Sequence, residues 1–148
     1  MPELASNKRA FFDYDILETF EAGISLQGFE VKSTRKGQAK LQGAHVIIRG
    51  DEAYIVGMHI PPYQAANSQE TYEPDRTRKL LLKASEIKYL LGKMTERGLT
   101  LVPIKAYTKR GLIKIEVGLA HGKKQADKRQ KIREREENRS IERTFKNT

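Results

Sequence analysis

The fold is decided by the stretch LTLVPIKAYTKRGLIKIEVGL, residues 99–119. Two apolar runs, Leu99 to Thr108 and Leu112 to Leu119, flank Lys109-Arg110-Gly111, and this arrangement is typical of a β-hairpin. In the second run apolar and charged side chains alternate, so one face of the strand should point inward. The inward set is Ile113, Ile115, Val117 and Leu119, and the outward set includes Lys114 and Glu116.

Two further segments have the pattern of strands. A second hairpin is predicted from Ala44 to Arg49 and from Glu52 to Ile60, because the Gly50-Asp51 link suits a two-residue turn. Pro61-Pro62 should end its second strand. Nearer the N-terminus, partial alternation from Tyr14 to Ile24 also favours a strand.

Two short helices complete the body. Ser25 is a suitable N-cap for a helix from Leu26 to Arg35, and Ser85 for one from Glu86 to Arg97. The first should bury Leu26, Phe29 and Val31 and stop at Gly37, and the second should stop at Gly98. Strands at this spacing with few helices predict a mainly β domain, a small antiparallel barrel with helices at its ends.

The last 26 residues differ in composition from this body. Residues 123–148 hold ten Lys or Arg and five Asp or Glu, but only Ile132, Ile141 and Phe145 as sizeable apolar side chains. Such a segment cannot offset its ordering entropy by burying an apolar face. We therefore expect a barrel domain at residues 1–122 and a basic tail at 123–148 that is disordered until a partner orders it.

Composition points to a polyanionic partner. The net charge is +9, which favours nucleic acid or another anionic surface. The chain has no cysteine, which excludes disulfides and fits a reducing compartment. No apolar run approaches the length of a membrane span, and no secretory signal is visible. We expect a cytoplasmic protein without a membrane partner.

Catalysis is not predicted. There is no Cys nucleophile, no Gly-rich phosphate loop and no pair of histidines at metal-ligand spacing, so neither a cofactor nor a metal is expected. His45, His59 and His121 are better explained as structural or surface residues. Acids at Asp13, Asp15, Glu18 and Glu21 leave open a metal-dependent nuclease. That alternative predicts cleavage of nucleic acid that requires a divalent cation.

The cations of the body fall in three groups. They are Lys8 and Arg9, then Lys32 with Arg35 and Lys36, then Arg76, Arg78 and Lys79. On a helix the second group shares one face and could bind neighbouring phosphates, or it could be an ordinary solvated face. The third group closes an aperiodic stretch, residues 63–78, and loops of that length are often functional.

Four other side chains have more than one interpretation. Tyr63, Tyr72 and Tyr107 could stack on unpaired bases, or they could pack in the core or loops. The Glu21 carboxylate would repel phosphate, so it should accept a hydrogen bond from a base or a 2′-hydroxyl, hold an arginine, or be structural.

Several short segments together resemble the SmpB family, the SsrA-binding proteins that partner transfer-messenger RNA in bacterial ribosome rescue. They run in the family's order across almost the whole chain. They are Asn7-Lys8-Arg9-Ala10, Phe20-Glu21-Ala22-Gly23-Ile24, Leu26 to Ser33, Arg76 to Leu82, Gly122-Lys123-Lys124-Gln125 and Asp127-Lys128-Arg129.

The resemblance implies an oligonucleotide-binding-type barrel that acts as a non-catalytic adapter. Its body would bind the tRNA-like domain of transfer-messenger RNA, with residues matching Asn7, Glu21 and Leu81 in RNA binding. The tail would enter the decoding centre and mRNA channel of a stalled small ribosomal subunit and fold into a helix there. Elongation factor Tu is a further expected partner, through the RNA.

The ribosome-engaging residues follow from the same resemblance. Residues matching Gly122 and Asp127-Lys128-Arg129 are associated with the ribosomal step, and the basic and apolar residues Lys123, Lys124, Arg133 and Phe145 are expected to join them. Family members often carry a histidine or an aromatic residue before the Asp-Lys-Arg triplet, whereas this chain has Ala126. An alternative function is a general chaperone for single-stranded nucleic acid on the same type of barrel.

Overall fold

The computed structural model describes residues 2–63 and 71–123. These residues form seven strands and three helices. In chain order they are β1 (Glu3–Ser6), α1 (Arg9–Asp13), β2 (Tyr14–Ile24), α2 (Gly28–Arg35), β3 (His45–Arg49), β4 (Glu52–Val56), β5 (Arg78–Leu81), α3 (Ala84–Arg97), β6 (Thr100–Lys109) and β7 (Leu112–Gly122).

Six of these strands close into an antiparallel barrel. The order is β6-β3-β4-β5-β2-β7, and β7 pairs back onto β6 to complete the ring. β1 adds to β6 outside this ring. Closure leaves no exposed sheet edge on the long strands β2 and β7. The prediction of a small antiparallel, mainly β barrel is confirmed.

The β6–β7 hairpin is the longest local element of the barrel. Lys109 pairs with Leu112, so the turn contains two residues, Arg110 and Gly111, at φ 53° and 77°. Two consecutive positive φ angles match the right-handed twist of the flanking strands. The predicted inward set, Ile113 to Leu119 in alternate positions, is at most 7 % exposed. The prediction from residues 99–119 is confirmed.

The β3–β4 hairpin ends earlier than predicted. Arg49 pairs with Glu52 across Gly50-Asp51, as expected, but β4 stops at Val56 and does not reach the proline pair. Gly57 has φ 83°, a left-handed conformation that breaks the ladder. A glycine therefore ends this strand.

The start of each longer helix also differs from the prediction. α2 begins at Gly28 after Gln27, and α3 begins at Ala84 after Lys83, so neither Ser25 nor Ser85 is a cap. Instead, a glutamate three residues into each helix accepts from the backbone N–H of the cap residue. These bonds join Glu30 to Gln27 at 2.8 Å and Glu86 to Lys83 at 3.0 Å. Gly98 ends α3 in the left-handed conformation, as predicted.

The buried face of α2 is polar. Glu30, Ser33 and Thr34 are fully buried, whereas Phe29 and Val31 are only partly buried. The prediction that Phe29 and Val31 form the inward face is therefore wrong, whereas Leu26 lies before the helix and packs against the core, as predicted. The buried side of α2 meets arginine side chains.

Glu30 is the centre of that polar contact. Its side chain is fully buried and accepts hydrogen bonds from Arg76 Nε at 3.1 Å, Arg78 Nε at 2.6 Å and the Tyr72 hydroxyl at 2.9 Å. Arg78 is also fully buried, and its other donors reach the Met58 and Pro74 carbonyls. These bonds join α2, β5 and the segment before β5 in one network.

Burial alone would raise the pKa of Glu30, but the hydrogen bonds from Arg76, the Gln27 N–H and Arg78 outweigh it. The pKa therefore lies below the ordinary value of 4.5.

None of the three helices within residues 2–63 and 71–123 has the length and apolar character needed to cross a membrane.

We predict that Glu30→Gln strongly destabilises the barrel. The neutral amide would leave the buried Arg78 charge without its counter-ion, which should cost about 3–5 kcal/mol of unfolding free energy. Urea unfolding monitored by circular dichroism measures this loss. Glu52→Gln is the matched control, because Glu52 pairs with Lys79 at the exposed surface. It should unfold close to wild type, and equal losses in the two variants would contradict the network's role.

The same glutamate should make stability depend on pH. Because its pKa is lowered in the folded state, the stabilisation is fully present above 4.5 and is lost as the pH falls below that value. Between pH 5 and pH 3, Glu30→Gln should therefore lose less of its own stability than the wild type does.

Candidate nucleic-acid interface

Glu21 lies on β2 at the centre of a polar cluster on the outside of the barrel. Its carboxylate accepts a hydrogen bond from the Tyr107 hydroxyl at 2.6 Å and lies 3.2 Å from Lys109 Nζ. Both partners come from β6, which is separated from β2 by β7. Glu21 therefore orients one phenol and one ammonium group across three strands.

The electrostatics of this cluster follow from those contacts. The hydrogen bond from Tyr107 lowers the pKa of Glu21, and Lys109 lowers it further. Together these two effects exceed the opposing effect of burial. Burial, followed by the Glu21 hydrogen bond, raises the pKa of Tyr107. Glu21 is therefore ionised, Tyr107 keeps its proton, and the carboxylate charge is offset by Lys109 and the nearby Lys114.

Beside this cluster an open cavity of about 310 Å³ lies between α2, β5 and the β6–β7 turn. We call it the leucine slot. Leu81 and Leu112 line it and are 55 % and 61 % exposed. Arg35 and Lys114 also line it, and Arg35 Nη2 donates to the Gly111 carbonyl at 2.7 Å.

The second predicted group of cations is partly assembled here. Lys32, Arg35 and Lys36 are all exposed on or next to α2. Arg35 reaches the slot, while the Lys32 ammonium lies 5.8 Å from the centre of the Tyr63 ring. The structure thus brings Arg35 together with Glu21 and Leu81, all three predicted from the sequence, on one side of the barrel.

The third predicted group is corrected. Arg78 is fully buried and paired with Glu30, so the prediction that it contacts RNA is wrong. Arg76 is 31 % exposed and also pairs with Glu30, so its role in the fold is structural. Lys79 is at the surface, 3.0 Å from Glu52. Tyr72 is likewise engaged, because its hydroxyl donates to Glu30 and its ring packs edge-on against Phe29.

The first predicted group lies at the other end of β2, around α1. Asn7 is nearly buried, and its side-chain amide donates to the Pro103 carbonyl at 2.9 Å, which indicates a structural role. Lys8 and Arg9 are exposed. Arg9 pairs with Asp13 at 3.3 Å and stacks over the Phe12 ring at 4.6 Å. These residues do not join the Glu21 cluster.

Lys123 belongs to the body and not to the tail. Gly122 pairs with Tyr14, and the next backbone N–H, that of Lys123, donates to the Asp13 carbonyl at 2.9 Å. The Lys123 side chain is only 5 % exposed, and its ammonium donates to the Phe11 carbonyl at 3.1 Å. The prediction that Lys123 belongs to a disordered tail is wrong. Lys124, Asp127, Lys128, Arg129, Arg133 and Phe145 lie outside the described residues.

The four acids considered for a nuclease have separate partners. Asp13 pairs with Arg9, Asp15 lies 3.7 Å from the Lys123 ammonium, and Glu18 accepts from the Tyr89 hydroxyl at 2.7 Å. Glu21 is held by Tyr107 and Lys109. Across residues 2–63 and 71–123, no three His, Asp or Glu side chains are grouped so as to hold a metal ion. His59 instead lies 2.9 Å from Asp75.

Sequence reasoning missed Lys109, Lys114 and Leu112 as members of this interface. All three lie next to the β6–β7 turn, where an exposed leucine between two lysines was a usable signal. Tyr107 was considered as a base-stacking ring or as a packing residue, but not as the residue whose hydroxyl binds Glu21. The pairing joins residues 86 positions apart and depends on β7 pairing with both β2 and β6.

Comparison with known proteins identifies close relatives. A family model described as "SmpB protein" matches residues 4–147. The SsrA-binding protein of Syntrophobacter fumaroxidans is 52% identical, covering 97% of this chain and 88% of the relative. That of Cupriavidus necator is 49% identical, covering 97% and 95%. A solved structure described as "tmRNA-SmpB: a journey to the center of the bacterial ribosome" matches with a TM-score of 0.67 at 47% identity, covering 84% of this chain and 87% of the other.

We predict that Tyr107→Phe raises the pKa of Glu21 toward 4.5, because the substitution removes the strongest hydrogen bond to the carboxylate. A pH titration of the Glu21 carboxyl carbon by NMR measures the shift. Tyr89→Phe is the matched control, since that hydroxyl binds Glu18 and not Glu21. A Glu21 titration unchanged in Tyr107→Phe would show that the phenol does not control this carboxylate.

Proposed function

This chain belongs to the SmpB family, and on that premise we propose that it is a non-catalytic adapter that binds the tRNA-like domain of transfer-messenger RNA and delivers it to stalled ribosomes in trans-translation. The observation that carries the proposal is the surface around Glu21, where cations and exposed leucines surround one oriented carboxylate. Its relatives are named as SsrA-binding proteins, and a solved neighbour is described with transfer-messenger RNA and the bacterial ribosome.

The charges of this surface suit a folded RNA. Arg35, Lys109 and Lys114 lie together, and the chain has a net charge of +9. Each cation placed on a phosphate releases condensed counterions and so adds affinity. Lys32 and Lys36 would extend this contact along α2. Glu21 would hold Lys109 and Tyr107 in place and present its remaining acceptor capacity to a base or a 2′-hydroxyl.

The leucines suit RNA that is partly unpaired. A duplex presents phosphate and sugar, whereas loops present base faces that need apolar contact. Leu81, expected from the resemblance to bind RNA, is exposed beside the cations. Lys8 and Arg9, at the far end of β2, would contact a different part of the complex.

In the same proposal the residues after Lys123 serve the ribosome. Residues 124–148 carry nine Lys or Arg and five Asp or Glu, a composition suited to the phosphate-lined decoding centre and mRNA channel. Gly122 would mark the point of departure, and Asp127, Lys128 and Arg129 would act in the ribosomal step. Elongation factor Tu, acting through the RNA, and a cytoplasmic location complete the proposal.

A general chaperone for single-stranded nucleic acid remains the alternative, because barrels of this kind also bind RNA without sequence preference. Competition with bulk tRNA separates the two functions. A dedicated adapter should keep labelled transfer-messenger RNA under an excess of tRNA, whereas a chaperone should release it.

We predict that the body and the residues after Lys123 have separable functions. A chain ending at Lys123 keeps its β7 anchor, so it should bind transfer-messenger RNA within about twofold of the full chain. It should fail to support tagging of stalled nascent chains in a reconstituted translation reaction. Loss of RNA binding on truncation, or retention of tagging, would contradict this division of labour.

We also predict that Lys114→Ala weakens RNA binding and reduces its salt dependence. Removing one phosphate contact should lower the slope of log affinity against log salt by about 0.7–0.9. Filter binding over a range of salt concentrations measures both effects. Lys88→Ala is the matched control, since Lys88 is an exposed cation on α3. If both variants shift the slope equally, binding is not localised to this surface.

A further inference from the structure

The residue that follows β7 is held at three points. The Lys123 backbone N–H donates to the Asp13 carbonyl at 2.9 Å, and the ammonium group donates to the Phe11 carbonyl at 3.1 Å. The Asp15 carboxylate lies 3.7 Å from the same ammonium group. The end of a strand usually frays unless other contacts hold it. Here three contacts of one side chain and its backbone oppose fraying.

The two carbonyl acceptors belong to the C-terminal turn of α1. The last carbonyls of a helix have no partner within the helix, and those of Phe11 and Asp13 are in this position in α1. Lys123 supplies a donor to each, so a residue more than 100 positions away caps the helix. A helix of five residues is not stable alone. The end of β7 and α1 therefore stabilise each other.

The start of α1 is fixed to the barrel independently of Lys123. The Asn7 backbone N–H donates to the Ile104 carbonyl at 2.8 Å, and its side-chain amide donates to the Pro103 carbonyl at 2.9 Å. Ala10 is buried in a small apolar cluster with Val102 of β6. Because α1 is attached at its start, it gives Lys123 acceptors whose positions are set by the barrel.

A lysine is a costly residue for this position. The Lys123 side chain is only 5 % exposed, and lysine is rarely buried because its charge loses hydration. An apolar side chain of similar length could cover the same surface without that cost. Apolar contact has no direction, whereas a hydrogen bond fixes the donor relative to its acceptor. The ammonium group therefore fixes the path of the chain where it leaves the barrel.

We propose that Lys123 is a positioning residue for the ribosomal step. By binding the α1 carbonyls it fixes where, and in which direction, residues 124–148 leave the barrel, and it does so without contacting the ribosome itself. This inference rests on the proposed function, and for Lys123 it replaces the direct ribosomal contact expected from the resemblance. A fixed path lowers the entropy that the ribosomal complex must remove on binding.

The first test uses full-length Lys123→Met, which keeps the length of the side chain but removes the ammonium group. Each residue that frays must be ordered again in the complex, at about 5- to 30-fold in affinity. The concentration of protein–RNA complex that gives half-maximal tagging of stalled nascent chains should therefore rise about 5- to 30-fold. The maximal rate and the affinity for transfer-messenger RNA should not change. Hydrogen exchange at the amide of residue 123 should become faster.

The second test separates positioning from direct contact with ribosomal phosphate. Asp15→Asn removes an acid beside Lys123, which would leave a phosphate contact unchanged or improve it. If Lys123 acts through its partners within the protein, Asp15→Asn should instead raise the half-maximal concentration. We expect about 1.5- to 5-fold, the range for an exposed ion pair. The same substitution should have no further effect in Lys123→Met.

Three control variants accompany these tests. Lys88→Met removes an exposed cation from α3, and Asp51→Asn removes an exposed acid from the β3–β4 turn. Both should tag like the wild type. Lys123→Arg keeps a charged donor at the end of β7 and should restore most of the activity lost in Lys123→Met. Circular dichroism should show the wild-type fold for every variant.

Two results would overturn the inference. If Lys123→Met tags like the wild type, or its amide at residue 123 remains protected, the ammonium group does not position the chain. If Lys123→Met lowers the salt slope of ribosome association by about 0.7–0.9 and Asp15→Asn does not impair tagging, Lys123 contacts ribosomal phosphate directly. Failure of the proposed function is a separate result, in which the wild type itself does not bind transfer-messenger RNA or support tagging.

Discussion

The buried contact between Glu30 and two arginines is the constraint on which the functional side of the barrel depends. A fully buried carboxylate is costly unless nearby donors replace its hydration. Here Arg76, Arg78 and Tyr72 supply those donors, and in doing so they fix α2 against β5 and the segment before it. α2 carries Arg35, and β5 carries Leu81. The network therefore holds two walls of the leucine slot, although none of its own residues lines the slot.

The β6–β7 turn adds the third wall of the slot, and the pairing of β7 with two strands adds the charged cluster. β2 and β6 do not pair with each other, but both pair with β7. Because β7 aligns them, Glu21 of β2 meets Tyr107 and Lys109 of β6. Neither an isolated β6–β7 hairpin nor an isolated β2 strand would contain this cluster. The fold thus creates the interface by bringing together polar positions that lie on opposite sides of one strand.

These facts also explain which features the sequence could predict. The β6–β7 hairpin was predictable because alternation and a Gly-containing turn are local signals, and they agree with the final fold. The buried face of α2 was not predictable from local signals, since burial of Glu30 depends on arginines 46 and 48 residues away. For the same reason Arg78 was taken for a surface cation. Composition alone does not separate an arginine that binds RNA phosphate from one that binds a buried carboxylate of the protein itself.

The candidate site shows the same division. Glu21, Arg35 and Leu81 came from the resemblance and from helix spacing, and the structure places them on one side. Lys123 was assigned to the tail because its neighbours are charged, yet it continues the β2–β7 ladder and its side chain is nearly buried. A run of charged residues locates the beginning of a segment with a precision of only a few residues. A backbone hydrogen bond to Asp13 places Lys123 in the body.

That ladder has a functional consequence. β2 and β7 pair from Tyr14 and Gly122 at one end to Gly23 and Lys114 at the other, which at about 3.3 Å per residue separates the two ends by roughly 25–30 Å. Lys123 and α1 lie at the first end, and the leucine slot lies at the second. Sliding one strand by a single residue would turn every inward side chain outward, so the separation is fixed by the core. In the proposed function, RNA binds at one end and the residues after Lys123 extend toward the ribosome from the other. The length of this strand pair would then set the distance between the two contacts.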